Sequence, residues 1–251
     1  MLLPRRKFLK LAAVTAGLPT FSQILCAQQT TPAPPRGDSI LGLLSDSSTT
    51  PLKIRLPFVM RGSKDSSKVA LTYDDGPTPG VTDVILEQLS SSHAKATFFV
   101  IGQRARAHPA LARRIVEEGH EIANHSYTHP DLAKLPDVVV SREIQDTQRT
   151  IEDICGVTPR YFRPPYGSFR ATQGAIARAC RLQVIIWSID PQDWRKPGAA
   201  TIAARVTSPT APGDIILCHD LHSQTAAASR LFIPRLAENF SLVSLSSLLR
   251  G

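Results

Sequence analysis

Two aspartates stand side by side in "LTYDDGPTPG" (71–80), where an apolar run meets Gly76 and Pro77. Farther along, "NHSYTH" carries His125 and His129 four apart. Histidines at that spacing can reach one metal ion from a helix or a tight loop. In H-E-x-x-H metalloproteases the residue after the first histidine is a glutamate that serves as base. Here it is Ser126, which excludes that mechanism. With a carboxylate from another part of the chain the pair gains value. Asp75, His125 and His129 together give the three protein ligands of an open catalytic divalent site, with positions left for water and substrate.

The doubled carboxylate then has a reason. A carboxylate on a cation is partly neutralised, whereas a general base must stay basic, so the two tasks need two groups. Neighbouring side chains on a strand point to opposite faces. At a break from strand to loop that constraint ends, and Gly76-Pro77 supplies the turn. On this reading Asp75 is the ligand and Asp74 the base. Taken alone, Asp-Asp-Gly-Pro is equally ordinary turn chemistry.

The elements that must position these residues follow from about residue 68 onward. Short apolar runs read as buried strands: "KVALTY", "KATFFVIG", "EIANHS", "RYFRPP", "QVIIWSID", "DIILCHD" and "FSLVSLSSLL". Between most of them lie segments with helical spacing: "TDVILEQLSSS", "PALARRIVEEG", "VSREIQDTQRTIEDICG", "TQGAIARACR", "AATIAARVTS" and "AASRLFIPRLAEN". Gly119 and Gly156 stand where helix C-caps belong. The strands are continuously apolar rather than alternating, as in a parallel sheet covered on its outer face. The expected architecture is α/β, a distorted (β/α)7-type barrel. Chemistry in such barrels sits at the C-terminal ends of strands. Asp74 and Asp75 end the first strand, and His125 and His129 follow the third. Arg163 and Tyr166 follow the fourth, Asp190, Asp193 and Trp194 the fifth, and His219 ends the sixth.

In order, "TYDDGP" (72–77), "HSYTH" (125–129), "RPPYG" (163–167), "DPQDW" (190–194) and "IILCH" (215–219) resemble the five motifs of the NodB-type polysaccharide deacetylases, carbohydrate esterase family 4. Tyr73 stands where phenylalanine is more usual. The resemblance implies that Asp74 is the general base and that Asp75, His125 and His129 bind one divalent metal. Zinc suits this donor set, with cobalt, nickel or manganese as substitutes. It implies that Arg163 pairs with and orients Asp74, and that the Tyr166 backbone N–H helps to stabilise an oxyanion. Asp193 would hold Arg163 or tune the acid, and Trp194 would wall a sugar groove. His219 would be the general acid, and Leu217 would line a pocket for the acetyl methyl. A purely bridging Arg163 and a Trp194 in plain core are the structural alternatives. Asp190 and His222 are read as structural, and Cys218 as facing away from the site.

The implied reaction is metal-dependent removal of N-acetyl groups from a polysaccharide with N-acetylhexosamine units: peptidoglycan, chitin oligomers or poly-N-acetylglucosamine. The alternatives are an O-acetyl xylan esterase on the same site and a catalytically silent carbohydrate-binding protein. A two-metal phosphoesterase would need further carboxylates. Composition agrees with a soluble globular domain: of 251 residues, 42% are apolar and 20% charged. The net charge of +8 includes Arg5, Arg6, Lys7 and Lys10, and no basic run suggests a nucleic-acid surface. Residues 1–27 resemble a twin-arginine export signal, "RRKFLK" followed by a run too short for the roughly 20 residues of a membrane span. Residues 28–52, rich in Pro, Ser and Thr, read as a disordered tether, and 53–251 as the deacetylase domain. The product is therefore expected outside the cytoplasm, with an acetylated glycan as partner and a monomer as the default state. Export permits a disulfide, and Cys155 could pair with Cys180 if two helix ends meet.

Overall fold

The computed structural model describes residues 58–250, so the expected export signal (1–27) and tether (28–52) lie outside the described residues. In chain order the elements are β1 (Phe58–Val59), β2 (Lys68–Asp74), α1 (Thr82–Ser91), β3 (Ala96–Val100), α2 (Gly102–Ala107), α3 (Pro109–Glu117), β4 (Glu121–Asn124) and α4 (Asp137–Cys155). They continue with β5 (Tyr161–Phe162), α5 (Gly174–Ala179), β6 (Gln183–Ile185), α6 (Ala199–Thr207), β7 (Ile215–His219), α7 (Ser223–Ala237), β8 (Ser241–Leu242) and α8 (Leu245–Leu249).

The strands pair in parallel in the order β1-β6-β5-β4-β3-β2-β7, and β8 lies beside β2. The two ends of this sheet nearly meet. Past β6, Ile189 bridges Ile216 of β7, and past β1, Arg61 bridges Asp214. The closure is irregular, which makes the barrel a distorted one. Gly156 caps α4 in the left-handed conformation at φ 67°, the C-cap role expected of it.

Both faces of the sheet are buried, which explains the unbroken apolar runs. On β2, Val69, Leu71 and Tyr73 pack under the helices with Phe98, Ile216 and Cys218. Ala70 faces the barrel interior with Phe99, Ala123 and Ile215. By the same alternation Thr72 and Asp74 face inward from β2, as do Leu217 and His219 from β7. Cys218 faces the helices, as expected.

Several expectations need correction. The run "FSLVSLSSLL" forms only the two-residue β8 and then turns into α8. The run "RYFRPP" keeps two strand residues, because Pro164 and Pro165 have no N–H to donate to a ladder. β1 and α2 escaped the reading: one is two residues long, and the other is "GQRARA", six residues with little apolar periodicity. Cys155 and Cys180 are free thiols. They pack against different core clusters, so the pairing considered for them does not form.

Candidate active site

Parallel register brings Asp74 at the end of β2 opposite Phe99 of β3 and His219 of β7. Asp75 then takes φ 77°, where a non-glycine residue is uncommon. This break cancels the alternation, and both carboxylates reach one cavity. Behind Asp74 lies Arg163, wholly buried. Its Nη1 donates to Asp74 Oδ1 at 2.6 Å and to Thr72 Oγ1 at 2.8 Å, and its Nη2 donates to the Ile186 carbonyl at 3.1 Å. The guanidinium stacks on Phe99, 4.1 Å from the ring centre. A buried charge needs such partners, and these leave it one orientation.

The histidines come from the loop after β4. Asn124, the last β4 residue, accepts the Ser126 N–H on Oδ1 and donates through Nδ2 to the Ile144 carbonyl and Gln148 of α4. Glu143 of α4 accepts the N–H groups of Tyr127 and Thr128, both at 2.8 Å. Ser126 and His129 both adopt positive φ within this clamped turn. Sequence reasoning missed Asn124 and Glu143. Asn124 directly before the histidine motif was the available signal; nothing in the sequence joins Glu143 to that turn.

His125 Nδ1 lies 2.8 Å from the Arg163 carbonyl. A carbonyl can only accept, so Nδ1 carries the proton and the Nε2 lone pair is left free to ligate a metal. That Nε2 is 3.4 Å from Asp75 Oδ1, and His129 Nε2 is 3.2 Å from the same oxygen. Ligand atoms of all three residues lie within 4.8 Å of one another. Asp75 Oδ1 is nevertheless buried without a hydrogen-bond partner. Three donors that face a common point and do not bond one another fit a cation. Burial pushes the Asp75 carboxyl up, but the two imidazoles outweigh it and hold the group well below the usual carboxylate range. Burial lowers His125, while Asp74, Asp75 and the Arg163 carbonyl raise it above the ordinary histidine value.

Across the cavity, Asp193 accepts from His219 Nδ1 at 2.7 Å on Oδ1 and from the His219 backbone N–H at 2.8 Å on Oδ2. Thr225 donates to Oδ2 as well. Burial opposes charge on His219, but Asp193 prevails and the imidazole is pushed up to about 9. Asp193 therefore holds His219 and not Arg163, whose carboxylate partner is Asp74. Of the two contacts left open, the structure contains the one to His219: past β6, Ile189 bridges Ile216 of β7 and brings the following loop, with Asp193, against the end of that strand.

Tyr166, at φ 59°, is exposed and meets the His129 ring edge-on at 4.7 Å. Trp194 is 48% exposed, which excludes a core role. Both line the cavity, with the buried Leu217. Asp190 and His222, read as structural, line it too. Its volume is about 420 Å³. A larger cavity of about 700 Å³ opens at the N-terminal ends of the strands, beside Glu121 and Arg160, and holds none of these residues.

Residues 61–185 match the family model described as polysaccharide deacetylase. The peptidoglycan-N-acetylglucosamine deacetylase PgdA of Listeria monocytogenes is 35% identical over 199 residues, 79% of this chain. The chain spans only 42% of that relative's length. A chitooligosaccharide deacetylase of Rhizobium leguminosarum bv. trifolii is 38% identical over 205 residues, covering 76% of this chain and 95% of the relative. Among solved structures, the Bc1960 peptidoglycan N-acetylglucosamine deacetylase superposes with a TM-score of 0.75 at 33% identity, over 81% of this chain and 98% of that one.

Proposed function

The chain belongs to the polysaccharide deacetylase family, and from that premise we propose that it hydrolyses N-acetyl groups on a glycan built of N-acetylhexosamine units. The observation that carries this reading is one arrangement: Asp74 backed by Arg163 and His219 backed by Asp193 share a single cavity with Asp75, His125 and His129.

Amide hydrolysis needs an activated water, a sink for oxyanion charge and a proton for a poor leaving amine. A divalent cation held by Asp75, His125 and His129, zinc being the best match to these donors, would supply Lewis acidity toward water and the acetyl carbonyl. Asp74, steered by Arg163, accepts the proton of the attacking water. The Tyr166 N–H is the chain's own donor to the oxyanion. His219 keeps its Nδ1–H on Asp193 and delivers a proton to the departing nitrogen from Nε2. Leu217 gives the acetyl methyl an apolar wall, and Trp194 presents a ring face to the sugar. The protein works outside the cytoplasm, on envelope or exported glycan. Relatives named for peptidoglycan and for chitooligosaccharides support both substrates, and no helix of the described residues is long and apolar enough to cross a membrane.

The test is acetate release by protein stripped of metal and reloaded with zinc, offered chitin oligomers, peptidoglycan and acetylated xylan, with Asp74→Asn as control. Zinc-dependent acetate from an amino-sugar polymer, lost in Asp74→Asn, is the expected result. Release from xylan alone would make the protein an O-acetyl esterase. Glycan binding without release from any of the three would make it a catalytically silent carbohydrate-binding protein.

A further inference from the structure

Asp220 follows His219 at the end of β7, and the mechanism above makes no use of it. Its side chain is wholly buried. Among the described residues no cation pairs with it: its Oδ2 accepts the Thr82 hydroxyl at 2.6 Å, and its Oδ1 has no partner. A buried carboxyl with one neutral partner is a costly choice for mere filling.

Its neighbour explains where it acts. A Cβ built on Gly76 would lie 1.9 Å from Asp220 Oδ2 and 2.4 Å from Oδ1, so the carboxyl is pressed against the Gly76 α-carbon. Gly76 has no positive φ; it is glycine for space, and Asp220 takes that space. The Asp220 N–H also donates to the Asp74 carbonyl at 3.0 Å. Thr82 Oγ1, while donating to Asp220, accepts the Thr78 N–H at 2.7 Å. From the other side the Ile101 N–H holds the Gly76 carbonyl at 3.1 Å. Asp220 and Thr82 thus fasten both ends of the turn that begins at Asp75, whose backbone is in a conformation that needs support from its surroundings.

We propose that Asp220 is a positioning residue for the cation site: it clamps the Asp75–Gly76 turn and so sets where the Asp75 carboxylate meets His125 and His129. The inference rests on the metal-dependent reading given above. It acts through the backbone, with no contact to substrate.

The experiment compares Asp220→Asn, Thr82→Val and Thr82→Ser with wild type. Folding is checked by circular dichroism, zinc affinity by competition with a chromophoric chelator, and kcat and KM by acetate release. Asp220→Asn is expected to weaken zinc binding about 10–100-fold, the usual range for residues that orient a ligand. Thr82→Val shifts affinity in the same direction, and Thr82→Ser, which keeps the hydroxyl, restores it. The drop in activity falls on kcat, with KM nearly unchanged. Folded Asp220→Asn and Thr82→Val proteins that bind zinc as wild type does would overturn the proposal and leave Asp220 a packing residue. Should Asp220→Asn fail to fold, the Thr82 pair decides. Wild type that binds zinc but releases no acetate would sink the proposed reaction while the affinity ratios still judge Asp220. Wild type that binds no zinc would overturn both.

Discussion

Asp193 grips His219 twice, taking the ring Nδ1–H on one carboxylate oxygen and the backbone N–H on the other. Both oxygens have a second donor, the Trp194 N–H on Oδ1 and the Thr225 hydroxyl on Oδ2. The carboxylate is wholly buried, so its attraction for an imidazolium is poorly screened. One residue therefore fixes the tautomer of His219, its orientation and its tendency to hold a proton.

This relationship predicts a pH effect. An acid works only while protonated, and the proposed acid His219 is pushed up to about 9 because Asp193 outweighs the burial that opposes the charge. Asp193→Asn keeps the size of the side chain and removes the charge. The alkaline limb of kcat/KM is expected to move down by about 1–3 pH units, the usual effect of losing an adjacent opposite charge. Activity at pH 6 then suffers less than activity at pH 9. A profile recorded from pH 6 to 10 checks this, and an unmoved limb would remove His219 from the role of acid.

Arg163 carries a stability prediction. Truncation to alanine leaves the buried Asp74 without its guanidinium, with only the His125 imidazole at 3.7 Å in its place. Breaking one half of a buried pair costs about 3–5 kcal/mol, far more than loss of an exposed one. Urea unfolding of Arg163→Ala should show a loss of that order. Arg163→Lys should recover only part of it, since an ammonium lacks the planar fork that reaches Thr72, Asp74 and Ile186 together. If the alanine variant proves as stable as wild type, Asp74 does not need its partner for folding.

The rim was legible because a parallel barrel turns strand order into a list of side chains at one end. Asp74, His125, Arg163 and His219 could be placed there from apolar runs alone, and register then joined Asp74 to His219. What stayed hidden were contacts between elements far apart in the chain. Glu143 holds the histidine turn from the middle of α4, and Asp220 holds Gly76 from the end of β7. Neither breaks a helical or strand pattern, so neither leaves a signal in spacing. The choice of Asp193 for His219 over Arg163 depended on packing between the loop after β6 and β7, which no local pattern encodes. β1 was hidden for a simpler reason: a two-residue edge strand is too short to carry periodicity.

The two aspartates should separate cleanly by metal content. Asp75→Ala removes one of three donors, so zinc affinity measured by chelator competition should collapse together with acetate release. Asp74→Asn leaves the donor set whole and keeps neutral hydrogen bonding to Arg163. It should bind zinc within a few-fold of wild type and release no acetate. Equal zinc loss in both variants would mean that Asp74 is itself a ligand, and the division of labour between the neighbours would fail.

His120 lies far from this chemistry and predicts how the fold responds to acid. It is buried, it accepts the Ala96 N–H on Nδ1 at 3.3 Å, and it meets the Phe98 ring edge-on. Burial, helped by the nearby Lys95 charge, pushes its pKa down to about 4. An unfolded histidine titrates near 6.5. Its contribution to stability is therefore fully present above that value and declines as pH falls toward 4, because the unfolded chain takes up a proton that the folded one refuses. Between pH 7 and pH 5 this single group should remove about 2 kcal/mol from the stability of wild type. His120→Asn retains an acceptor for Ala96 without a titrating ring. In urea unfolding at the two pH values, wild type should lose about 2 kcal/mol more than His120→Asn, the other titrating groups being common to both. Equal losses would show that the folded protein protonates His120 freely, and that its burial against Phe98 opens at little cost.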